Sequence, residues 1–80
     1  MQLLRGKGIP IPLRDMYIGM PVHLTGPRFG CVWKIIGFHT DELGEVWLQL
    51  QTPVTGKISW ARASRARYIR AHEPVSKRHY

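Results

Sequence analysis

Short alternating runs of apolar and polar residues, divided by Gly and Pro, constrain the fold of this chain more than any other feature. The clearest run is 45–51, where Val46, Leu48 and Leu50 alternate with polar or aromatic side chains. A period of two places the apolar residues on one face, which is typical of a strand buried on one side. Similar runs predict further strands at 16–24, 31–39, 57–61 and about 66–71. The sequence therefore predicts an all-β fold, a small five-stranded barrel.

The chain of 80 residues is long enough for one domain. Gly and Pro at positions 6, 8, 10 and 12 exclude a helix there, and residues 1–13 are predicted to form an extended N-terminal arm. Residues 14–72 are predicted to form the barrel, with one short helical turn near 62–65 before the last strand. Residues 73–80 are mostly polar and are predicted to form a flexible tail.

Two stretches resemble the SH3-like barrels of the KOW, Tudor and plasmid-borne groups, namely IGMPV at 18–22 and GCVWKIIGF at 30–38. The similarity spans residues 16–70 and implies an SH3-like barrel. Short basic barrels of this kind are common on phages and plasmids, so a mobile genetic element is the expected source.

The layout is also similar to that of the plasmid-encoded type II dihydrofolate reductases, which are short SH3-like chains that form one active pore as a tetramer. That family binds folate and nicotinamide with a Gln-Ile-Tyr run and a pore lysine. Here the corresponding strand carries Ser59-Trp60-Ala61, and no lysine follows His23 where the first strand ends. The resemblance therefore implies the shape of that family without its activity.

The net charge of +7 is concentrated towards one end of the chain. Residues 57–80 hold seven Lys and Arg against Glu73 alone, whereas residues 1–56 hold five against four acidic residues. Such asymmetry indicates a partner with a dense negative surface, which is nucleic acid, an anionic membrane or an acidic protein. Charge that only keeps a small domain in solution is the alternative interpretation.

Cations and aromatic residues are interleaved in the region 57–70, which makes it the first candidate site. Arginine stays charged and its planar guanidinium contacts two phosphate oxygens at once, while aromatic faces allow bases to stack. Arg28, on the Gly- and Pro-containing loop 25–30, is a further candidate contact. An ordinary solvated surface is the competing interpretation. The residues predicted to bind nucleic acid are Lys57, Trp60, Arg62, Arg65, Arg67, Arg70 and Arg28.

Trp33, Trp47 and Gln49 form the second candidate site, an interface with another protein or with a second copy of the chain. Trp47 and Gln49 alternate with the apolar residues of 45–51, so they are expected to point away from the core. An outward Trp anchors an interface or offers a stacking surface, unless the N-terminal arm covers it. Protein interaction or homo-oligomerisation is therefore the alternative function.

The remaining composition argues against several other functions. Cys31 is the only cysteine, which excludes an internal disulfide and fits a reducing cytoplasm. No apolar run reaches about 20 residues, so no membrane span is predicted. The four His lack the spacing of metal ligands, and no nucleophile lies beside a base in a recognisable motif. We therefore expect no metal, no cofactor and no enzymatic activity.

Overall fold

The computed structural model describes residues 8–26 and 31–69, and this part of the chain forms one antiparallel sheet of five strands. Its helical elements are two 3₁₀ turns, Leu13–Asp15 before the first strand and Ala63–Arg65 before the last. The all-β prediction, with five strands and a short helical turn before the last one, is confirmed. The strands are β1 (Pro21–Leu24), β2 (Trp33–Thr40), β3 (Val46–Gln51), β4 (Ile58–Arg62) and β5 (Ala66–Arg67), in the spatial order β4-β3-β2-β1-β5.

The sheet curls towards a barrel because β4 and β5 lie at its two edges but are joined by one short turn. A flat sheet of five strands, with about 4.8 Å between neighbours, places its edge strands about 19 Å apart. Arg62 and Ala66 are four residues apart, and such a stretch spans at most about 15 Å. The backbone N–H of Thr25, just after β1, donates to the carbonyl of Arg65 at 3.0 Å. The connection therefore closes this end of the sheet.

The core lies on the inner face of the curled sheet. Leu48 and Leu50 of β3 are completely buried there and are paired with Ala61 and Ser59 of β4. The alternation predicted for 45–51 is thus confirmed, since Trp47 and Gln49 point to the opposite face. The buried core consists of Ile11, Met20, Val22, Leu24, Trp33, Ile35, Leu48, Leu50, Ala61, Ala63 and Ala66.

A β-bulge in β2 changes which side chains reach the outer face. Ile35 pairs with Leu50 and faces the core, but Gly37 pairs with Gln49, so Ile36 is an extra residue in the strand. An extra residue reverses the alternation beyond it. Positions 37 and 39 therefore lie on the outer face, although an unbroken strand would turn both towards the core with Ile35.

The first and last strands are shorter than predicted. A turn closed by the bond from the Met20 N–H to the Tyr17 carbonyl precedes β1, which therefore begins at Pro21 instead of residue 16. The last strand, predicted at about 66–71, comprises Ala66–Arg67 within the described part of the chain. Arg70, the tail 73–80 and the first residues of the arm, 1–7, lie outside the described residues.

The described part of the N-terminal arm packs against the domain. Ile11 is buried in the core, and Pro10 forms a bridge with Arg67 of β5. The backbone N–H of Tyr68 donates to the carbonyl of Ile9 at 3.0 Å. The Tyr68 hydroxyl donates to Oδ2 of Asp15 at 3.3 Å, and burial together with this nearby carboxylate raises the pKa of the phenol. Residues 8–12 thus belong to the domain itself and leave the outer face of β2–β4 uncovered by this segment.

Candidate functional site

The outer face of strands β2, β3 and β4 brings together a set of side chains that the sequence distributes over 34–62. The strand register arranges them in three rows, each crossing β2, β3 and β4 in that order. The rows are Lys34, Gln51 and Ile58; Gly37, Gln49 and Trp60; and His39, Trp47 and Arg62. We call these nine positions the outer face.

The orientation of β4 differs from the one that the sequence predicts. The alternation in 57–61 predicts that Ile58 and Trp60 face the core and that Lys57 and Ser59 point outward. Instead, Ser59 and Ala61 face the core while Ile58 and Trp60 point out. The inner positions lie opposite Leu50 and Leu48, where a small barrel has room for small side chains only. Ile58 and Trp60 are consequently 46% and 50% exposed. The size of the side chains, rather than their hydrophobicity, therefore determines which face of β4 is buried.

The charged side chains among the nine positions are both cations. Lys34 and Arg62 occupy opposite corners of the three rows, and both are exposed. None of the nine positions is acidic. Lys57 adds an exposed cation directly before β4. Within the described ranges, no ion pair involving these three side chains is observed, while the charge of Arg62 interacts with the carboxylate of Asp41 in the turn after β2.

Three aromatic side chains, His39, Trp47 and Trp60, line a recess of about 370 Å³ in this face. The rings of His39 and Trp60 meet edge to face, with centroids 6.2 Å apart and an interplanar angle of 77°. Such an angle forms a corner, in which one wall is a ring face and the other a ring edge. The recess is open to solvent and its lining is almost wholly apolar. We call it the aromatic recess.

Trp47 is held in place by the turn between β2 and β3. Its Nε1–H donates to Oδ2 of Asp41 at 2.9 Å, while Oδ1 of Asp41 accepts the backbone N–H groups of Leu43 and Glu45. These hydrogen bonds, first the one from Trp47, lower the pKa of Asp41 below its ordinary value. On the other side, the guanidinium carbon of Arg62 lies 5.0 Å from the Trp47 ring centroid. The orientation of this wall is therefore fixed before any ligand arrives.

The predicted arginine cluster is divided by the structure. Arg62 lies on the outer face, but Nη2 of Arg65 donates to the carbonyl of Thr25 at 2.6 Å. Nη1 of Arg67 donates to the carbonyls of Ser64 and Ala66 at 2.7 and 2.9 Å. Both guanidinium groups are thus engaged by the fold, away from the nine positions. Arg28 and Arg70 lie outside the described residues.

The interface prediction requires a correction at Trp33. This side chain is only 5% exposed and belongs to the core, where its Nε1 has no hydrogen-bond partner among the described residues. Trp33 begins β2 opposite Val22, on the inner face, so it presents no surface to a partner. Trp47 and Gln49 are half-buried on the outer face, as their alternation predicts.

Lys34, His39 and Ile58 are outer-face residues that the sequence analysis did not identify. His39 reaches the face only through the bulge at Ile36, and a bulge inside a continuous apolar run leaves no pattern to read. Ile58 lies on the outer face because the small side chains of Ser59 and Ala61 occupy the inner positions of β4.

Within residues 8–26 and 31–69 there is no group of three or more His, Cys, Asp or Glu residues placed to hold a metal ion. The same part of the chain contains no helix of the length and apolarity that a membrane span requires.

Comparison with known proteins adds no relative. The chain matches no protein-family model, and neither the curated proteins nor the solved structures contain a significant match. The function must therefore be argued from the chemistry of the outer face.

Proposed function

We propose that this chain is a small nucleic-acid-binding module whose ligand lies across the outer face of β2, β3 and β4. One observation carries the proposal: this face has cations at two opposite corners, aromatic and amide side chains between them, and no carboxylate. A phosphate backbone requires the cations, and bases require the rings and amides. On this proposal the module binds its ligand without catalysing a reaction.

The phosphate contacts come from Lys34 and Arg62 on this face and from Lys57, which precedes β4, rather than from the arginine-rich end as a whole. Their side chains are exposed, and the net charge of +7 attracts a polyanion from a distance. The guanidinium carbon of Arg62 lies over the Trp47 ring, 5.0 Å from its centroid, and a guanidinium has five N–H donors with which to contact phosphate oxygens. If each cation neutralises one phosphate, the logarithm of the binding constant falls with the logarithm of salt concentration with a slope of about −2 to −3.

The curled five-stranded sheet is consistent with the finer assignment that the sequence suggests, an SH3-like barrel. Three features support that assignment: the strand order, the 3₁₀ turn before β5 and the pairing of β5 with β1. In such small barrels the outer surface of the sheet is free for binding, because the inner face is filled by the core.

A charge-reversal experiment tests the proposal. Fluorescence anisotropy of a labelled oligonucleotide measures the affinity of the wild type, Arg62→Glu and Arg14→Glu at several salt concentrations. Arg14 is an exposed arginine on the first 3₁₀ turn, outside the nine positions, so it controls for the loss of net charge. We expect Arg62→Glu to weaken binding by about tenfold or more and Arg14→Glu to have a much smaller effect. Equal effects of the two variants, or an affinity independent of salt, contradict the proposal.

A second function, self-association, is favoured by the apolar side chains on the edge strand. Ile58 and Trp60 are 46% and 50% exposed on β4, and among the described strands β4 pairs only with β3. An exposed strand edge next to apolar side chains favours pairing with a second copy. Light scattering after size-exclusion chromatography measures the molar mass and so distinguishes the two functions. A stable dimer in the absence of nucleic acid, which Trp60→Ala converts to a monomer, supports this alternative.

A further inference from the structure

We infer that the aromatic recess binds one unpaired base, so that the ligand is single-stranded nucleic acid rather than a duplex. This inference rests on the proposed function and names the class of ligand for the same face. It follows from the shape of the recess, from the amide beside it and from the charge around it.

The shape of the recess suits the flat face of a ring. Trp60 is half exposed, and His39 stands nearly perpendicular to it, at 77°. A base stacked on one of these rings therefore meets the edge of the other, an arrangement that aromatic rings favour. Trp47 completes the lining and is immobilised by its hydrogen bond to Asp41. Fixed rings lose little entropy when a base stacks on them.

The amide of Gln49 lies beside the recess, at the centre of the outer face. Gln49 stands opposite Gly37 on one side and Trp60 on the other, and its side chain makes no hydrogen bond with other described residues. A Cβ atom at position 37 would lie only 3.1 Å from Oε1 of Gln49, so the missing side chain of Gly37 leaves room for this amide. An amide offers one acceptor and two donors, which matches the edge of a base.

The surroundings disfavour the other ligands that aromatic recesses bind. A cationic group is disfavoured because Arg62 already lies over Trp47 and none of the described lining residues carries a carboxylate. The carboxylate of Asp41, beside Trp47, already accepts three hydrogen bonds. A duplex is disfavoured because its bases are stacked on each other and hide their faces. Proteins that stack bases on aromatic side chains take them from single strands or loops.

The test compares three probes on the same protein. The first is a single strand of about 12 nucleotides, as DNA and as RNA, a length within the site sizes of small barrels. The second is the same sequence as a duplex, and the third is inorganic polyphosphate, which carries charge without bases. Binding is followed by anisotropy, by competition and by the quenching of tryptophan fluorescence.

Trp60→Ala is the diagnostic variant, and Tyr17→Ala is its matched control. Tyr17 is 53% exposed, close to the 50% of Trp60, but it lies in the turn before β1, outside the nine positions. We expect the single strand to bind about tenfold or more tightly than the duplex and to quench the fluorescence. Trp60→Ala is expected to remove this preference, whereas Tyr17→Ala keeps it. Circular dichroism of both variants verifies that the fold is retained.

The outcomes separate this inference from the proposed function. If single strand, duplex and polyphosphate bind equally, and Trp60→Ala changes nothing, the inference is overturned but electrostatic binding of a polyanion stands. If none of the probes binds at low salt, both are overturned. If Trp60→Ala weakens the binding of the single strand and leaves the binding of polyphosphate unchanged, stacking in the recess is established.

Discussion

The guanidinium of Arg62 covers one side of the Trp47 ring, with Cζ 5.0 Å from the ring centroid, while the indole N–H on the rim of the ring donates to Asp41. The three residues come from the end of β4, from β3 and from the turn after β2. One row of the outer face therefore links an edge strand to a hairpin turn. Because Trp47 is held both at its rim and over its ring, this link makes one wall of the aromatic recess rigid.

Asp41→Asn is expected to destabilise the domain at neutral pH. The carboxylate accepts three hydrogen bonds, from Trp47, Glu45 and Leu43, and an uncharged amide oxygen accepts them less well. The pKa of Asp41 is lowered from 3.8 by these bonds, so its contribution is complete above that value and is lost as the pH falls through the lower pKa of the folded state. The difference in urea midpoint between the wild type and Asp41→Asn therefore shrinks as the pH falls below 3.8.

Glu42→Gln is the control for this pH dependence. Glu42 is the exposed neighbour of Asp41 in the same turn, and its side chain makes no hydrogen bond with the described residues. Its substitution should leave the midpoint unchanged at all these pH values. Equal midpoints for Asp41→Asn and the wild type at pH 7 would show that the turn does not depend on the carboxylate.

Leu48→Ala and Ile58→Ala should differ strongly in their effect on stability. Leu48 is completely buried on the inner face of β3, so its truncation removes about 2–5 kcal/mol from the free energy of unfolding. Ile58 is 46% exposed on the outer face, so its truncation changes that free energy by about 0.5 kcal/mol or less. Urea denaturation at equilibrium measures both free energies of unfolding. A comparable loss of stability in the two variants would contradict the placement of Ile58 on the outer face of β4.

The parts of the fold that the sequence predicts are those with a strong local pattern. In β3 the buried face carries Leu48 and Leu50 while the outer face carries Gln49 and Gln51, so hydrophobicity alone reveals the strand and its orientation. In β4 the larger apolar residues face outward, so hydrophobicity indicates the wrong face. The inner positions of β4 accept only small side chains because Leu48 and Leu50 lie opposite them. This pairing is tertiary information that the sequence pattern does not contain.

The candidate site depends even more on distant contacts. Charge and residue type identified Trp60 and Arg62, but the role of Arg65 follows from a contact with Thr25, which is 40 residues away in the sequence. The bulge that brings His39 to the recess lies in an apolar run without alternation. Composition therefore predicted the kind of surface, and the strand register determined which residues form it.

Arg65→Ala is expected to lower stability, whereas Lys57→Ala is not. Arg65 is bound to the turn after β1 twice, through the bond from its guanidinium to the Thr25 carbonyl and through the bond from the Thr25 N–H to its own carbonyl. The substitution removes the first bond and about 1 kcal/mol of the free energy of unfolding. The side chain of Lys57 makes no hydrogen bond with the described residues. Thermal denaturation compares the midpoints of the two variants. A midpoint of Arg65→Ala equal to that of the wild type would show that the bond from Arg65 to Thr25 does not stabilise the fold.

Gly44→Ala tests the turn that carries Asp41. Gly44 has a φ of +83°, a conformation that a residue with a Cβ atom adopts at a cost of about 1–2 kcal/mol. An added Cβ meets no heavy atom within 4 Å, so the backbone conformation alone accounts for the destabilisation. The N–H of Gly44 donates to the carbonyl of Asp41, so strain here also reaches the carboxylate that holds Trp47.

Leu43→Ala is the matched control for Gly44→Ala, since Leu43 is the preceding residue and is 91% exposed. We expect this control to retain the stability of the wild type, as measured by urea denaturation, and to retain the tryptophan emission spectrum. Gly44→Ala should lower the urea midpoint and shift the emission, because Trp47 then loses part of its support. If Gly44→Ala lowers the midpoint without changing the emission, the turn stabilises the sheet but does not position the ring. That result would leave Arg62 as the group that orients Trp47.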